Sequence, residues 1–268
     1  MHRFHSVPAL LAVAALLAAD PAHGRATTSA TLADFHIGLT DLDPSDGVTP
    51  SLTLDPQAYS IVGVMASSDV DLHSSRGDWA FSPVSTSRAV DGSGGSASFS
   101  GDPFGAGAVI TASAFADNGG GASSNASVDG PPAALYFGDF VLGPRSQVTF
   151  SGSGSIDWSA SGAYPSTYAA LGVAFLRIID GQQDWVGQDY LTWGYNGLGA
   201  PTGTISAPVE LSFANTGDAL VVVIYTLGVA ADAIDAQIDS PSPIDEPAGA
   251  ALLLAGLPIL LWRARRRR

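Results

Sequence analysis

Three aspartates close together in the chain are the first residues whose types and spacing indicate chemistry. Asp41, Asp43 and Asp46 stand just before Gly47 in the segment Asp-Leu-Asp-Pro-Ser-Asp-Gly. Hard cations such as Ca²⁺ bind clustered carboxylate and carbonyl oxygens, with about six to eight ligands around each ion. The spacing departs from that of the EF-hand loop, and Asp-Pro and Asp-Gly are also common turn dipeptides. The segment therefore predicts either a calcium site or a hairpin turn.

A group of aromatic residues farther along the chain forms a second candidate site. Trp185, Tyr190 and Trp193 are interleaved with amide and carboxylate side chains. Sugar-binding modules place flat aromatic rings against sugar C–H groups and use polar side chains for the hydroxyls, in concave sites. Tryptophans in a long loop also fill the edge of a hydrophobic core. The sequence predicts either a carbohydrate-binding site or such a loop.

Several classes of enzyme lack the residues that their chemistry needs. The chain has no cysteine and no lysine, which excludes thiol catalysis, iron–sulfur clusters and phosphate-binding loops that depend on lysine. No Gly-x-Ser-x-Gly segment marks a hydrolase nucleophile. The formal net charge of −14 opposes binding to nucleic-acid phosphates. We therefore predict a protein that is not an enzyme, has no nucleic-acid partner and has no cofactor other than calcium at the aspartates.

The elements that must position these residues are predicted to be β-strands. Alternation of apolar and polar residues is clearest at 108–115 and 147–151, and Gly, Asn and Asp turn signals separate the segments. The Gly- and Ser-rich stretches 91–105 and 117–130 are either low-complexity loops or strands of small residues. Residues 230–238 alone have a helical pattern and are either a helix or a stalk. The whole pattern predicts an all-β fold, an antiparallel β-sandwich with jelly-roll-like connections.

The N-terminal segment has the three parts of a secretory signal peptide. Arg3 provides the basic start, residues 7–19 are apolar, and small residues surround two candidate cleavage sites, after Gly24 and after Ala26. A leader of this kind predicts export from the cytoplasm.

The C-terminal segment predicts a single transmembrane helix with a basic end. An uncharged apolar run extends from Ala248 to Trp262, which gives roughly 22 Å of helix against the ~30 Å hydrocarbon core of a bilayer. An arginine tail follows the run: Arg263, Arg265, Arg266, Arg267 and Arg268. The positive-inside bias places this tail in the cytoplasm and the preceding chain outside.

The order of these C-terminal features resembles the PEP-CTERM sorting signal of exported bacterial proteins. That signal joins a Pro-Glu-Pro motif to a short apolar helix and a terminal arginine cluster. This chain has Asp245, Glu246 and Pro247 at the motif, so an aspartate replaces the first proline. The resemblance implies processing by an exosortase-type membrane enzyme and a link to bacteria that make exopolysaccharide.

Three parts of the body resemble patterns shared among PEP-CTERM proteins. Residues 39–51 resemble their first hairpin, residues 140–144 followed by 148–151 resemble a later pattern, and residues 212–215 resemble another. These patterns bring no established activity with them. They imply kinship with exported sandwich proteins.

The sequence thus predicts three regions. Residues 1–26 form a signal peptide, 27–240 the β-sandwich, and 241–268 a spacer, the sorting motif, the transmembrane helix and the arginine tail. The predicted protein is exported, held by the helix, and then placed at the cell surface or secreted after processing. Its expected role is that of a surface or extracellular-matrix protein, either structural or associated with exopolysaccharide. The alternatives are a carbohydrate-binding module and an uncut, membrane-anchored hydrolase.

Overall fold

The computed structural model describes seven stretches of the chain: 25–66, 73–117, 120–129, 138–161, 165–179, 182–196 and 201–235. The side chains at 128–129, 178–179 and 182–185 are outside this description. Within the seven stretches, 79% of the residues lie in strands and none is helical. The prediction of an all-β protein is confirmed at this level.

The described residues form fourteen strands, longer than the short segments expected from the sequence. Their bounds are β1 (Arg25–Asp41), β2 (Leu52–Leu54), β3 (Tyr59–Ala66), β4 (His73–Arg76), β5 (Val84–Val90), β6 (Ser93–Asp102), β7 (Gly107–Asp117), β8 (Gly121–Asp129), β9 (Gly138–Leu142), β10 (Ser146–Ser161), β11 (Pro165–Ile179), β12 (Gln182–Tyr195), β13 (Thr202–Asn215) and β14 (Val221–Asp235).

The strands form two antiparallel sheets that pack into a curled, sandwich-like fold. The six-stranded sheet has the order β13-β10-β1-β7-β6-β5. The eight-stranded sheet has the order β12-β11-β14-β8-β3-β4, with β9 paired to β14 and β2 paired to β9. Strands β1 and β7 of the first sheet pack against β14 of the second. Strands β12 and β13 also meet, where the backbone N–H of Glu210 donates to Asp189 Oδ2 at 2.7 Å.

Side chains alternate between the interior and the outer faces along each long strand. On β1, for example, Ala26, Ala30 and Leu32 are buried, whereas Thr27 and Ser29 lie on the outer face. This is the period of two that a half-buried strand imposes, because successive side chains point to opposite faces. The same rule decides which candidate site residues can meet.

The centre of the core is a cluster of aromatic rings from both sheets, which we call the aromatic cluster. Its members are all buried: Phe35, Phe81, Phe99, Phe140, Phe150, Phe175 and Tyr225. Phe150 meets Phe175 and Tyr225 edge-to-face, with ring centroids 5.0 and 5.4 Å apart. Because such contacts add to the burial of large apolar surfaces, this cluster supplies much of the packing between the sheets.

The Gly- and Ser-rich stretches are strands rather than low-complexity loops. They form β6 and β8, in which small side chains alternate between the two faces. Across β6 and β7, Ser96 Oγ lies 2.8 Å from Ser113 Oγ, and Ser98 Oγ lies 2.8 Å from Thr111 Oγ1. Cross-strand hydroxyl pairs of this kind stabilise a sheet whose residues have little side-chain surface to pack.

The helical interpretation of residues 230–238 is wrong for the part that the structure describes. Residues 230–235 complete β14, where Ala231 and Ala233 point into the core. The alanines that produce a helical propensity are here the small inward residues of a strand paired on both sides, to β11 and β8. Tertiary pairing overrides local propensity at this place.

Residues 1–24 of the predicted leader, the sorting motif and the apolar run from Ala248 to Trp262 lie outside the described residues, whereas Arg25 and Ala26 belong to β1. Within the described stretches, no helix is long and apolar enough to cross a membrane.

Candidate functional site

The three aspartates of the first candidate site each accept hydrogen bonds from their own loop. Asp41 Oδ1 accepts the N–H of Asp43 at 2.9 Å, and Asp46 Oδ1 accepts the N–H of Val48 at 2.6 Å. Asp43 Oδ1 accepts both the hydroxyl of Ser45, at 2.6 Å, and its N–H, at 3.3 Å. Each carboxylate therefore closes a turn two residues long, as aspartates commonly do.

This geometry supports the turn rather than the calcium site. Among the described residues, no three carboxylate or imidazole groups come together in a way that would hold a metal ion. The hydrogen bonds from Ser45 lower the pKa of Asp43, and Arg145 adds to the effect. Because folding lowers this pKa, the ionised form stabilises the loop above the unfolded pKa, and that stabilisation is lost as the pH falls through the lowered value.

The three segments that resemble PEP-CTERM patterns meet at this end of the sandwich. The backbone N–H of Leu42 donates to the carbonyl of Arg145 at 2.7 Å. The backbone N–H of Gly143 donates to the carbonyl of Ser51 at 2.8 Å. Asn215, which is buried, donates from its amide to the carbonyls of Gly143 and Ala219, both at 2.8 Å. These three segments therefore build one hydrogen-bonded corner of the fold.

A salt bridge reinforces the same corner. Arg145 Nη2 lies 2.6 Å from Asp218 Oδ1, and this contact raises the pKa of Arg145. Both side chains are well exposed, so the pair contributes little to the free energy of unfolding.

The residues of the aromatic candidate site lie in a strand, β12, and not in a loop. Tyr190 points to the outer face of the eight-stranded sheet, and Trp193 points to the opposite side, toward the six-stranded sheet. The side chain of Trp185 is outside the described residues. The structure therefore separates Tyr190 from Trp193, and the two rings do not form one sugar platform.

Trp193 fills the edge of the core, as the alternative interpretation proposed. Its ring stacks on Trp158 of β10, with centroids 4.3 Å apart and planes tilted by 25°. Trp158 in turn covers Gly203 of β13, where an added Cβ would overlap the indole ring. This stack joins β12 to the six-stranded sheet.

The outer face of the eight-stranded sheet contains a long depression, which we call the trough. It consists of two adjoining hollows of about 300 and 410 Å³. Facing residues of β8, β11 and β14 form its floor, and nearly all are small: Asn125, Ser127, Ala170, Gly172, Gly228 and Ala230. Small residues leave the backbone close to the surface, so an extended ligand can approach it closely.

Tyr190 forms a fixed wall at one end of the trough. Its ring lies across Gly172, where an added Cβ would overlap it, and its hydroxyl lies 3.3 Å from Thr226 Oγ1 on β14. The side chain thus spans from β12 over β11 while 44% of its surface stays exposed. An aromatic ring held in this way has little conformational entropy left to lose on binding.

Tyr168 stands farther along the trough, four residues before Gly172 on β11. Four residues of a strand span about 13 Å, which is therefore the approximate separation of the two tyrosines along the sheet. Tyr168 is 47% exposed and lies in register with Asp232 of β14. The next residues in this row are Ser123 and then Met65. Tyr168 was not predicted from the sequence. The only sign of its position was that it lies two and four residues before Ala170 and Gly172, which places all three on the same face of a strand.

One carboxyl group away from the trough, that of Asp139, has altered acidity. Burial and the nearby Asp55 raise the pKa of Asp139.

Burial chiefly raises the pKa of Tyr225, whose hydroxyl has no hydrogen-bond partner among the described residues. Tyr225 packs over Gly138 within the aromatic cluster, so its role is in the core.

We expect Gly203→Ala to destabilise the protein by roughly 1–3 kcal/mol, because the new methyl group overpacks the Trp158–Trp193 stack. Urea unfolding followed by tryptophan fluorescence measures the loss. Gly38→Ala is the matched control, since its nearest atom, the Thr149 carbonyl oxygen, is 3.9 Å away. Equal stability of the two variants would contradict the proposed packing.

We expect calcium to leave the unfolding temperature unchanged, because Asp41, Asp43 and Asp46 already serve as turn acceptors. The measurement is thermal unfolding in millimolar calcium and in chelator, where ligand binding to the native state would appear as a rise. Asp43→Ala should lower the unfolding temperature equally in both buffers. A calcium-dependent rise that Asp43→Ala removes would show that the loop binds the ion.

Searches among protein-family models, curated proteins and solved structures returned no match to this chain.

Proposed function

We propose that the protein is an exported surface or extracellular-matrix protein that binds exopolysaccharide along the trough. The observation that carries this proposal is Tyr190, which is held across Gly172 beside a floor of small residues. A flat, preorganised ring beside an open floor of small residues suits the C–H face of a sugar ring. This assignment joins the matrix role and the carbohydrate-binding role that the sequence left as alternatives.

The chemistry of the trough suits an extended carbohydrate chain. Tyr190 and Tyr168 offer aromatic faces for sugar C–H groups, while Asn125 and Ser123 offer donors and acceptors for hydroxyls. From Thr226 to Ile234, the outward residues of β14 span about 26 Å. A groove of that length accommodates several sugar units of a chain that lies parallel to β14.

Binding rather than hydrolysis follows from the acidic residues of the trough. Asp232 is the only carboxylate among the described residues that line it. Glycoside hydrolysis normally uses two carboxyl groups that face each other across the scissile bond. We therefore assign no catalytic step to this surface.

Export and sorting belong to the same proposal and are supported by the two ends of the chain. The leader, the motif Asp245-Glu246-Pro247, the apolar run and the arginine tail follow the order of a PEP-CTERM protein. An exosortase-type enzyme is the proposed processing partner. We also propose that the strands of the sandwich have jelly-roll-like connections and that the apolar run from Ala248 to Trp262 forms a transmembrane helix.

We expect Tyr190→Ala and Tyr168→Ala each to weaken oligosaccharide binding about tenfold or more, because each removes one aromatic platform. The test is calorimetric titration of the exported region, residues 25–244, with soluble oligosaccharides of glucose and of N-acetylglucosamine. Tyr190→Phe should bind with intermediate affinity, since it keeps the ring but loses the contact with Thr226.

Trp79→Ala is the matched control, because Trp79 is similarly exposed but lies outside the trough. Unchanged binding in both tyrosine variants, or an equal loss in Trp79→Ala, would refute the assignment of the trough.

We expect the mature chain to begin at Arg25, so cleavage occurs after Gly24 rather than after Ala26. Strand β1 begins at Arg25, whose Nε lies 3.5 Å from Asp117 Oδ1, and Ala26 is fully buried. Cleavage after Ala26 would remove both residues from the sheet. Mass spectrometry of the exported protein measures the terminus, and a chain beginning at Thr27 would contradict this expectation.

A further inference from the structure

Asp232 gives the trough a single negative charge at a defined place. It is half-buried on β14, between Tyr168 of β11 and Ser123 of β8 in the same row of the sheet. No hydrogen bond or ion pair engages its carboxylate within the described part of the chain. A half-buried carboxylate without a partner, beside an aromatic ring, is a favourable position for a bound cation.

Among the described residues that line the trough, Asp232 has no compensating positive charge beside it. None of the described residues that line the trough is an arginine, and the chain has no lysine. The chain as a whole carries a formal net charge of −14. The summed field of such a surface attracts cationic ligands and repels anionic ones.

We propose that the trough selects polysaccharides with free amino groups, whose ammonium pairs with Asp232 while the sugar ring packs on Tyr168. This inference rests on the proposed function and adds the chemical class of the ligand. Polymers of N-acetylated or neutral sugars have the same C–H faces and hydroxyls but offer no charge, so they bind more weakly. Polymers of uronic acids carry the wrong sign and bind least.

The position of Asp232 explains why a single carboxylate is enough to select sugars that carry an amino group. An ion pair in a half-buried groove is less screened by salt and water than one on an open surface. The ring of Tyr168 adds attraction for the same ammonium through its negative face. Together these two contacts recognise a charge and a ring on one sugar unit.

The test titrates the full-length chain in detergent with four hexasaccharides: glucosamine, N-acetylglucosamine, glucose and a uronic acid. The pH is set below the pKa of the sugar amine, and each titration is repeated at low and high salt. We expect glucosamine to bind about tenfold more tightly than N-acetylglucosamine, and the difference to shrink at high salt.

Asp232→Asn should remove the preference for the amine, so that the glucosamine and N-acetylglucosamine hexasaccharides bind with equal affinity. Asp91→Asn is the matched control, since it removes the same charge from an exposed turn between β5 and β6 in the other sheet. The unfolding temperature of each variant establishes that the fold is retained.

The outcomes separate this inference from the proposal on which it rests. Equal affinity for glucosamine and N-acetylglucosamine, or a preference that persists in Asp232→Asn, overturns the inference and leaves glycan binding standing. Equal losses in Asp232→Asn and Asp91→Asn also overturn it, because they would reflect the net charge alone. Absence of binding to all four sugars overturns both.

Discussion

Phe150 packs edge-to-face against Phe175 and Tyr225 between the two sheets, and the rest of the fold depends on this contact. The chain has no cysteine, so no disulfide constrains the unfolded state and stability must come from burial and strand pairing. Aromatic rings bury more apolar surface per residue than the small side chains around them. The aromatic cluster therefore compensates for strands that consist largely of glycine, alanine and serine.

This concentration of bulk in the interior has a consequence for the outer faces. Phe175 of β11 and Tyr225 of β14 point inward, while outward positions of the same strands hold Ala170, Gly172, Gly228 and Ala230. The trough is thus the outer side of the sheet whose inner side carries Phe175 and Tyr225. Tyr190 reaches across the gap at Gly172 only because that position has no Cβ. Core packing and binding surface are two faces of the same strands.

Sequence patterns identified the class of fold more reliably than the arrangement of the site. Period-two alternation revealed the strands with large inward residues. It did not identify β8 and β12 as strands, because small or mixed residues give little contrast between the two faces. Tyr190 and Trp193 differ by an odd number of positions, so a strand places them on opposite faces. Assignment of that segment to a strand would have separated them. The contribution of Tyr168 depends on the register between β11 and β14, which no local pattern contains.

The proposed function depends on one surface, the trough on the outer face of the eight-stranded sheet. Amide NMR spectra of the protein, titrated with a glucosamine hexasaccharide, test it most directly. The account predicts shifts at Gly172, Gly228, Ala230 and Asp232, with the resonances of β5, β6 and β13 in the other sheet unchanged. Shifts confined to the six-stranded sheet, or spread evenly over the acidic surface, would contradict it.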